Sequence, residues 1–156
     1  MIIAVDSDGT IVEHKYPLIG KERPFAIATL KKLQEEGNLL ILWTVREGEL
    51  LDEAVEFCHK RGLDFYAVNS NTPLNEPNVL ANKELNACRK VNADLFIDDR
   101  NVGGLPDWGV IYEMVRNNWT YDQYLHEVHN TQNMQKQALM RMHLHPLTAP
   151  VICFPA

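Results

Sequence analysis

Four short stretches of this sequence carry side chains whose types and spacing suit chemistry better than packing: Asp6-Ser7-Asp8-Gly9-Thr10, Thr44-Val45-Arg46, Lys90, and Asp98-Asp99. Two carboxylates spaced i, i+2 after a strand can point the same way, one toward a substrate and one beside it. Gly9 frees the backbone to turn sharply, so that main-chain N–H groups of the Ser7–Gly9 turn can face an anion. The Asp98-Asp99 pair offers hard oxygen ligands of the kind Mg²⁺ takes, an ion that keeps several waters and few protein carboxylates. Thr44 presents a neutral hydroxyl, and Lys90 a point charge, to the oxygens of a phosphoryl group. Ser7, Gly9, Thr44, Val45, Arg46 and Lys90 are therefore the candidate phosphate-binding positions. Arg46 either holds that group or pairs with Glu47 or Glu49.

These groups can act together only if strand ends bring them together. Ile2–Val5 is an apolar run without a period, the pattern of a strand buried on both faces, and it ends at Asp6. Leu39–Trp43 reads as a second such strand ending at Thr44, Phe65–Val68 as a third, Leu95–Ile97 as a fourth ending at Asp98, and Val110–Tyr112 as a short fifth. Between them lie helical stretches. One opens at Pro24 and closes at Gly37, with Phe25, Ala28, Leu30 and Leu33 as its buried stripe. Another runs from Glu49 to Arg61, with Leu50, Leu51, Ala54, Val55 and Cys58 inward. A polar loop over Asn69–Asn78 precedes a third over Leu80–Arg89. Strands alternating with helices imply right-handed crossovers, hence an α/β fold: a three-layer Rossmann-like parallel sheet with helices on both faces. In such sheets ligands bind outside the carboxyl ends of the strands, where the four stretches fall. The texture changes near Thr120, so residues 1–119 read as the catalytic core and 120–156 as an extension, helical and then irregular.

The motifs in this order resemble those of the haloacid dehalogenase (HAD) superfamily. Asp6-Ser7-Asp8-Gly9-Thr10 matches its DxDGT motif, Thr44 its second, Lys90 its third, and Asp98-Asp99 its acidic fourth, over roughly residues 1–116. The resemblance implies a phosphomonoester hydrolase. Asp6 would be the nucleophile that forms an aspartyl-phosphate and Asp8 the general acid and base. Asp6, the main-chain carbonyl of Asp8, Asp98 and Asp99 would hold Mg²⁺ or support its ligands. Lys83 is the alternative to Lys90 as the phosphate-holding lysine. Neither interval between motifs has space for the cap domain that many such enzymes insert. A capless site must exclude water by other means, through a large substrate, the C-terminal tail or a neighbouring subunit, and a homo-oligomer is expected.

Composition narrows the alternatives. A formal charge of −6 over 156 residues argues against a nucleic-acid-binding patch. The expected partner is a small phosphorylated metabolite, a sugar phosphate or a nucleotide. The three cysteines, Cys58, Cys88 and Cys153, form no disulfide framework. No apolar run approaches a membrane span and no basic leader precedes the first strand, so a cytoplasmic protein is expected. His143-x-His145 and Trp108 read as surface and core, and Trp43 as core rather than a stacking platform. Two other readings remain. One is a catalytically idle HAD-like protein that binds phosphate and metal. The other is a receiver-type signalling domain, whose acidic pair and phosphoacceptor stand in the opposite order along the chain.

Overall fold

The computed structural model describes residues 1–73 and 90–144. Two elements expected from sequence, the helix over Leu80–Arg89 with Lys83 and Cys88, and the end of the Asn69–Asn78 loop, lie outside the described residues. So do His145 and the rest of the tail through Cys153 to Ala156.

Among the described residues four strands, β1 (Ile2–Val5), β2 (Leu39–Leu42), β3 (Ala67–Val68) and β4 (Leu95–Ile97), form one sheet in the order β3-β2-β1-β4. Every pairing is parallel, with Val5 aligned to Leu42 on one side and to Ile97 on the other. Helices α1 (Ala26–Glu35) and α2 (Gly48–His59) follow β1 and β2, and α3 (Trp108–Asn117) and α4 (Tyr121–Leu144) follow β4. The arrangement is α/β and Rossmann-like, with no cap domain among the described residues. The chain leaves β1 for β2 and β3 on one side and returns to β4 on the other. The strand order therefore reverses between β1 and β4, and a crevice opens at their carboxyl ends.

The two central strands explain themselves. Ile3, Ala4, Val5, Leu40, Ile41 and Leu42 are all buried, because a parallel strand covered on both faces has no polar side. On one face Ala4, Ile41, Ala67 and Val91 form a buried cluster, edged by Ile2, Trp43, Tyr66, Ala93 and Phe96. Helix α1 contacts β2 and buries Ala26, Ile27, Leu30 and Leu33.

Two sequence expectations fail here for identifiable reasons. Phe25 is 74% exposed and Ala28 is exposed, so neither belongs to the buried stripe of α1. Phe25 sits before the helix in a left-handed conformation (φ 66°), outside the helical phase, and Ala26 and Ile27 join Leu30 and Leu33 on the buried face. The segment Val110–Tyr112 is not a strand but part of α3. Asp107 decides it: its Oδ1 accepts the N–H groups of Gly109 and Val110, at 2.9 and 3.1 Å, and so caps a helix.

The chain divides into two compact units, Met1–Tyr112 and Glu113–Ala156. The second begins seven residues before the boundary read from sequence. In it a reciprocal capping box starts α4, with Thr120 N donating to Gln123 Oε1 (2.8 Å) and Gln123 N to Thr120 Oγ1 (3.3 Å). Among the described residues no helix is long and apolar enough to cross a membrane.

Ile41 is fully buried between paired strands on both sides, so Ile41→Ala should lower the unfolding free energy by about 2–5 kcal/mol. Phe25→Ala should change it by no more than about 0.5 kcal/mol. Urea denaturation of the two variants checks the contrast.

Candidate functional site

The crevice at the carboxyl ends of β1, β2 and β4 is a cleft of about 440 Å³. Asp6 and Asp8 line it from the end of β1, Trp43, Thr44 and Val45 from the end of β2, and Asp98 and Arg100 from the end of β4. His14 and Tyr16 complete it from a flap. The flap is a narrow hairpin: Glu13 N donates to Lys21 O (2.7 Å) and Arg23 N to Ile11 O (2.9 Å), leaving residues 14–20 as the loop.

Backbone pairing places the carboxylates. Asp6 N donates to Ile97 O at 3.0 Å, so Asp6 and Asp98 emerge side by side from neighbouring parallel strands. Carboxylate oxygens of Asp6, Asp98 and Asp99 lie within 4.8 Å of one another. Thr10, fully buried, ties the two strand ends together. Its Oγ1 accepts the N–H of Asp99 at 2.9 Å and donates to Asp6 Oδ2 at 3.4 Å. Asp98 Oδ1 accepts the N–H of Arg100 at 2.7 Å. Asp99 Oδ1 is buried with no hydrogen-bond partner.

Three acidic groups this close repel one another. Burial pushes the Asp6 carboxyl up to about 6. The N–H of Ser7 opposes the rise, and Asp98, Asp99 and Asp8 add to it. An orphaned buried oxygen and an all-oxygen donor set fit a hard divalent cation, which would supply the missing partner and cancel the repulsion.

Gly9 serves the site differently from the sequence expectation. Its N–H donates to Val12 O at 2.7 Å, and the Thr10, Ile11 and Val12 amides converge on Ser7 O at 3.4, 2.9 and 3.1 Å. The Gly9 amide is therefore spent inside the turn and does not face an anion. What Gly9 provides is room, since a Cβ there would collide with the Asp99 carboxylate, and its φ of 93° disfavours any side chain.

Arg46 pairs with neither Glu47 nor Glu49. It is fully buried, and it grips Asp8 by a two-pronged ion pair, Nε to Oδ2 at 2.6 Å and Nη2 to Oδ1 at 2.7 Å. Its remaining donors reach the flap, Nη1 to Pro17 O and Nη2 to Leu18 O, both at 2.9 Å. The Tyr16 ring centroid lies 5.3 Å from the guanidinium carbon. Asn69, which sequence reasoning passed over, holds this turn from β3. Its Oδ1 accepts the N–H of Thr44 at 2.8 Å, and its Nδ2 reaches Arg46 O at 3.5 Å.

Lys90 is exposed, with its ammonium 5.0 Å from the Phe96 ring centroid, and is not among the residues that line the cleft. Ser7 is buried and serves as the carbonyl hub of the turn. Val45 is 75% exposed at the cleft mouth. Trp43 is half-buried and does two things, packing on the Ala4–Ile41 cluster and lining the cleft. Trp108 is in the core, as expected.

No protein-family model matches this chain, and no curated protein matches it. A solved structure described as the conserved protein coded by a locus from Bacteroides thetaiotaomicron is 59% identical to it, with a TM-score of 0.69. The match covers 79% of this chain and 95% of that one.

Two outcomes follow from the geometry. Arg46→Ala leaves the Asp8 carboxylate buried and unpaired, and should cost about 3–5 kcal/mol of stability in urea denaturation. A divalent cation must displace the proton of Asp6, whose carboxyl titrates near 6. Cation affinity, measured by titration calorimetry, should therefore hold above that pH and fall about tenfold per unit below it. Asp98→Asn should weaken binding at every pH, and a pH-independent affinity would refute the assignment.

Proposed function

This chain belongs to one family with the conserved Bacteroides thetaiotaomicron protein, and we propose that it is a magnesium-dependent phosphomonoester hydrolase of the HAD type. The observation that carries the reading is the convergence of Asp6, Asp98 and Asp99 on one point of a cleft that Asp8 and Thr44 also line. A structural cluster would have no reason to keep three mutually repelling carboxylates beside an open cavity.

Asp6 attacks phosphorus through a carboxylate oxygen while the bond to the leaving oxygen breaks, giving an aspartyl-phosphate. Asp8 passes a proton to that leaving oxygen. It then takes one from the water that attacks the phosphorus, and the Asp6 carboxylate leaves as inorganic phosphate forms. Thr44 donates its hydroxyl to the phosphoryl oxygens. Asp6, Asp98 and Asp99 would hold Mg²⁺, which supplies positive charge against the incoming phosphoryl group. Arg100 lines the cleft where Lys90 does not, so it takes the place of the second cation. Arg46 fixes the direction of Asp8, and one prong of their ion pair opens when Asp8 takes up its proton.

That ion pair is also the one observation that favours a second reading. With both Asp8 oxygens engaged by Arg46, the cleft could bind phosphate and metal without turning a substrate over. Hydrolysis of a generic aryl phosphate separates the two. We expect turnover with Mg²⁺, none in EDTA, and a loss of more than about a thousandfold in Asp6→Asn. Arg100→Ala should lose more activity than Lys90→Ala. Phosphate binding without turnover in the wild-type protein would establish the idle reading instead.

A further inference from the structure

Phosphoryl chemistry asks for charge and hydroxyls, yet the mouth of this cleft is apolar. Tyr16 is 51% exposed and Val45 75%, and Trp43 stands half-exposed between β2 and the cavity. Such surfaces are costly to leave in water unless something covers them in use.

The two aromatic rings are also fixed from behind. Trp43 leans on the buried cluster of Ala4, Ile41, Ala67 and Val91. Tyr16 lies over the Arg46 guanidinium, 5.3 Å from its centre, and Arg46 in turn holds the carbonyls of Pro17 and Leu18. Neither ring has to give up much freedom to meet a ligand, which is what a stacking surface requires. The wall also adjoins the reacting groups. Trp43 and Val45 flank Thr44 in sequence, and Tyr16 is held by the same guanidinium that grips Asp8.

We propose that this wall of Tyr16, Trp43 and Val45 selects phosphomonoesters whose alcohol side carries a planar ring, of which nucleoside monophosphates are the representative class. The inference rests on the hydrolase reading for its phosphoryl end, and on the wall alone for its preference. A phosphate held by Asp6, Thr44 and the metal site leaves its ester oxygen toward Asp8. The group beyond that oxygen then meets the apolar mouth. A sugar without a base has no flat face to offer there. A nucleoside covers the rings and leaves its ribose hydroxyls near His14, which lines the same cleft.

The test compares adenosine 5′-monophosphate with ribose 5-phosphate, in which a hydroxyl stands at C1 where the nucleotide carries its base. With Mg²⁺ present, kcat/KM for the nucleotide should exceed that for the sugar phosphate by about tenfold or more, the worth of one stacked base. In Tyr16→Leu the ratio between the two substrates should collapse by a similar factor. A merely structural role for Tyr16 would lower both values and leave the ratio standing. If that variant does not fold, Val45→Asp, at an exposed position, should lower the ratio in the same direction. Titration calorimetry with the Asp6→Asn variant, expected to lose turnover, reads the preference by binding alone. Nucleotide binding no tighter than ribose 5-phosphate binding would overturn the proposal. Tighter nucleotide binding without hydrolysis of either compound by the wild-type protein would support the wall and defeat the hydrolase reading.

Discussion

The buried guanidinium of Arg46 is the joint on which this site is built. Taking a charge fully out of water costs several kcal/mol, and the fold recovers it only by giving the group partners on every side. Two of those partners are the oxygens of Asp8, beyond β1, and two are carbonyls of the flap. One side chain from the turn after β2 thus fixes the direction of a carboxylate and the position of a loop that walls the cleft. The fork shape of arginine is essential to this. A lysine at the same place would supply the charge but not four directed bonds.

A second constraint comes from crowding carboxylates at the reversal of strand order. Asp6, Asp98 and Asp99 sit together because β1 and β4 are neighbours in register, and because Thr10 bonds across them. The close approach of Asp99 to Gly9 is possible only without a side chain there. Each of these contacts brings like charges nearer, and their repulsion adds to the upward shift that burial already imposes on Asp6. Stability is spent locally to hold a donor set that a cation would relieve.

Much of this was legible in the sequence, for a physical reason. Strands buried on both faces are written as unbroken apolar runs, so Ile2–Val5 could be placed without a partner in view. Leu95–Ile97 was placed by the same apolar pattern, although it lies at the end of the sheet and is half-buried at Leu95 and Phe96. Carboxylates at the ends of such runs have few structural duties, so Asp6, Asp98 and Asp99 stood out. What escaped were relations set by tertiary contact or by a single polar cap. The partner of Arg46 lies 38 residues away, and nothing in the neighbouring Glu47 and Glu49 points to it. Apolar content alone made Val110–Tyr112 look like a strand, until the carboxylate of Asp107 capped a helix there. Tyr16 and His14 reached the cleft through a hairpin whose pairing leaves little trace in hydrophobic pattern, since Ile11-Val12-Glu13 does not alternate and Lys21-Glu22-Arg23 is charged throughout. Gly9 was singled out for its amide, whereas its place in the structure turns on the space beside it, which Asp99 fills.

The strand lengths have a bearing on how the protein behaves in a crowded solution. The two interior strands, β1 and β2, have four residues each, whereas the outer ones, β3 and β4, have two and three. An outer strand exposes a row of unpaired amides and carbonyls that another chain can extend. Rows this short give an incoming strand too few bonds to offset the entropy of docking. Among the described residues the apolar runs that would be most adhesive are sealed in the middle of the sheet, and the short outer strands offer little to edge-to-edge pairing.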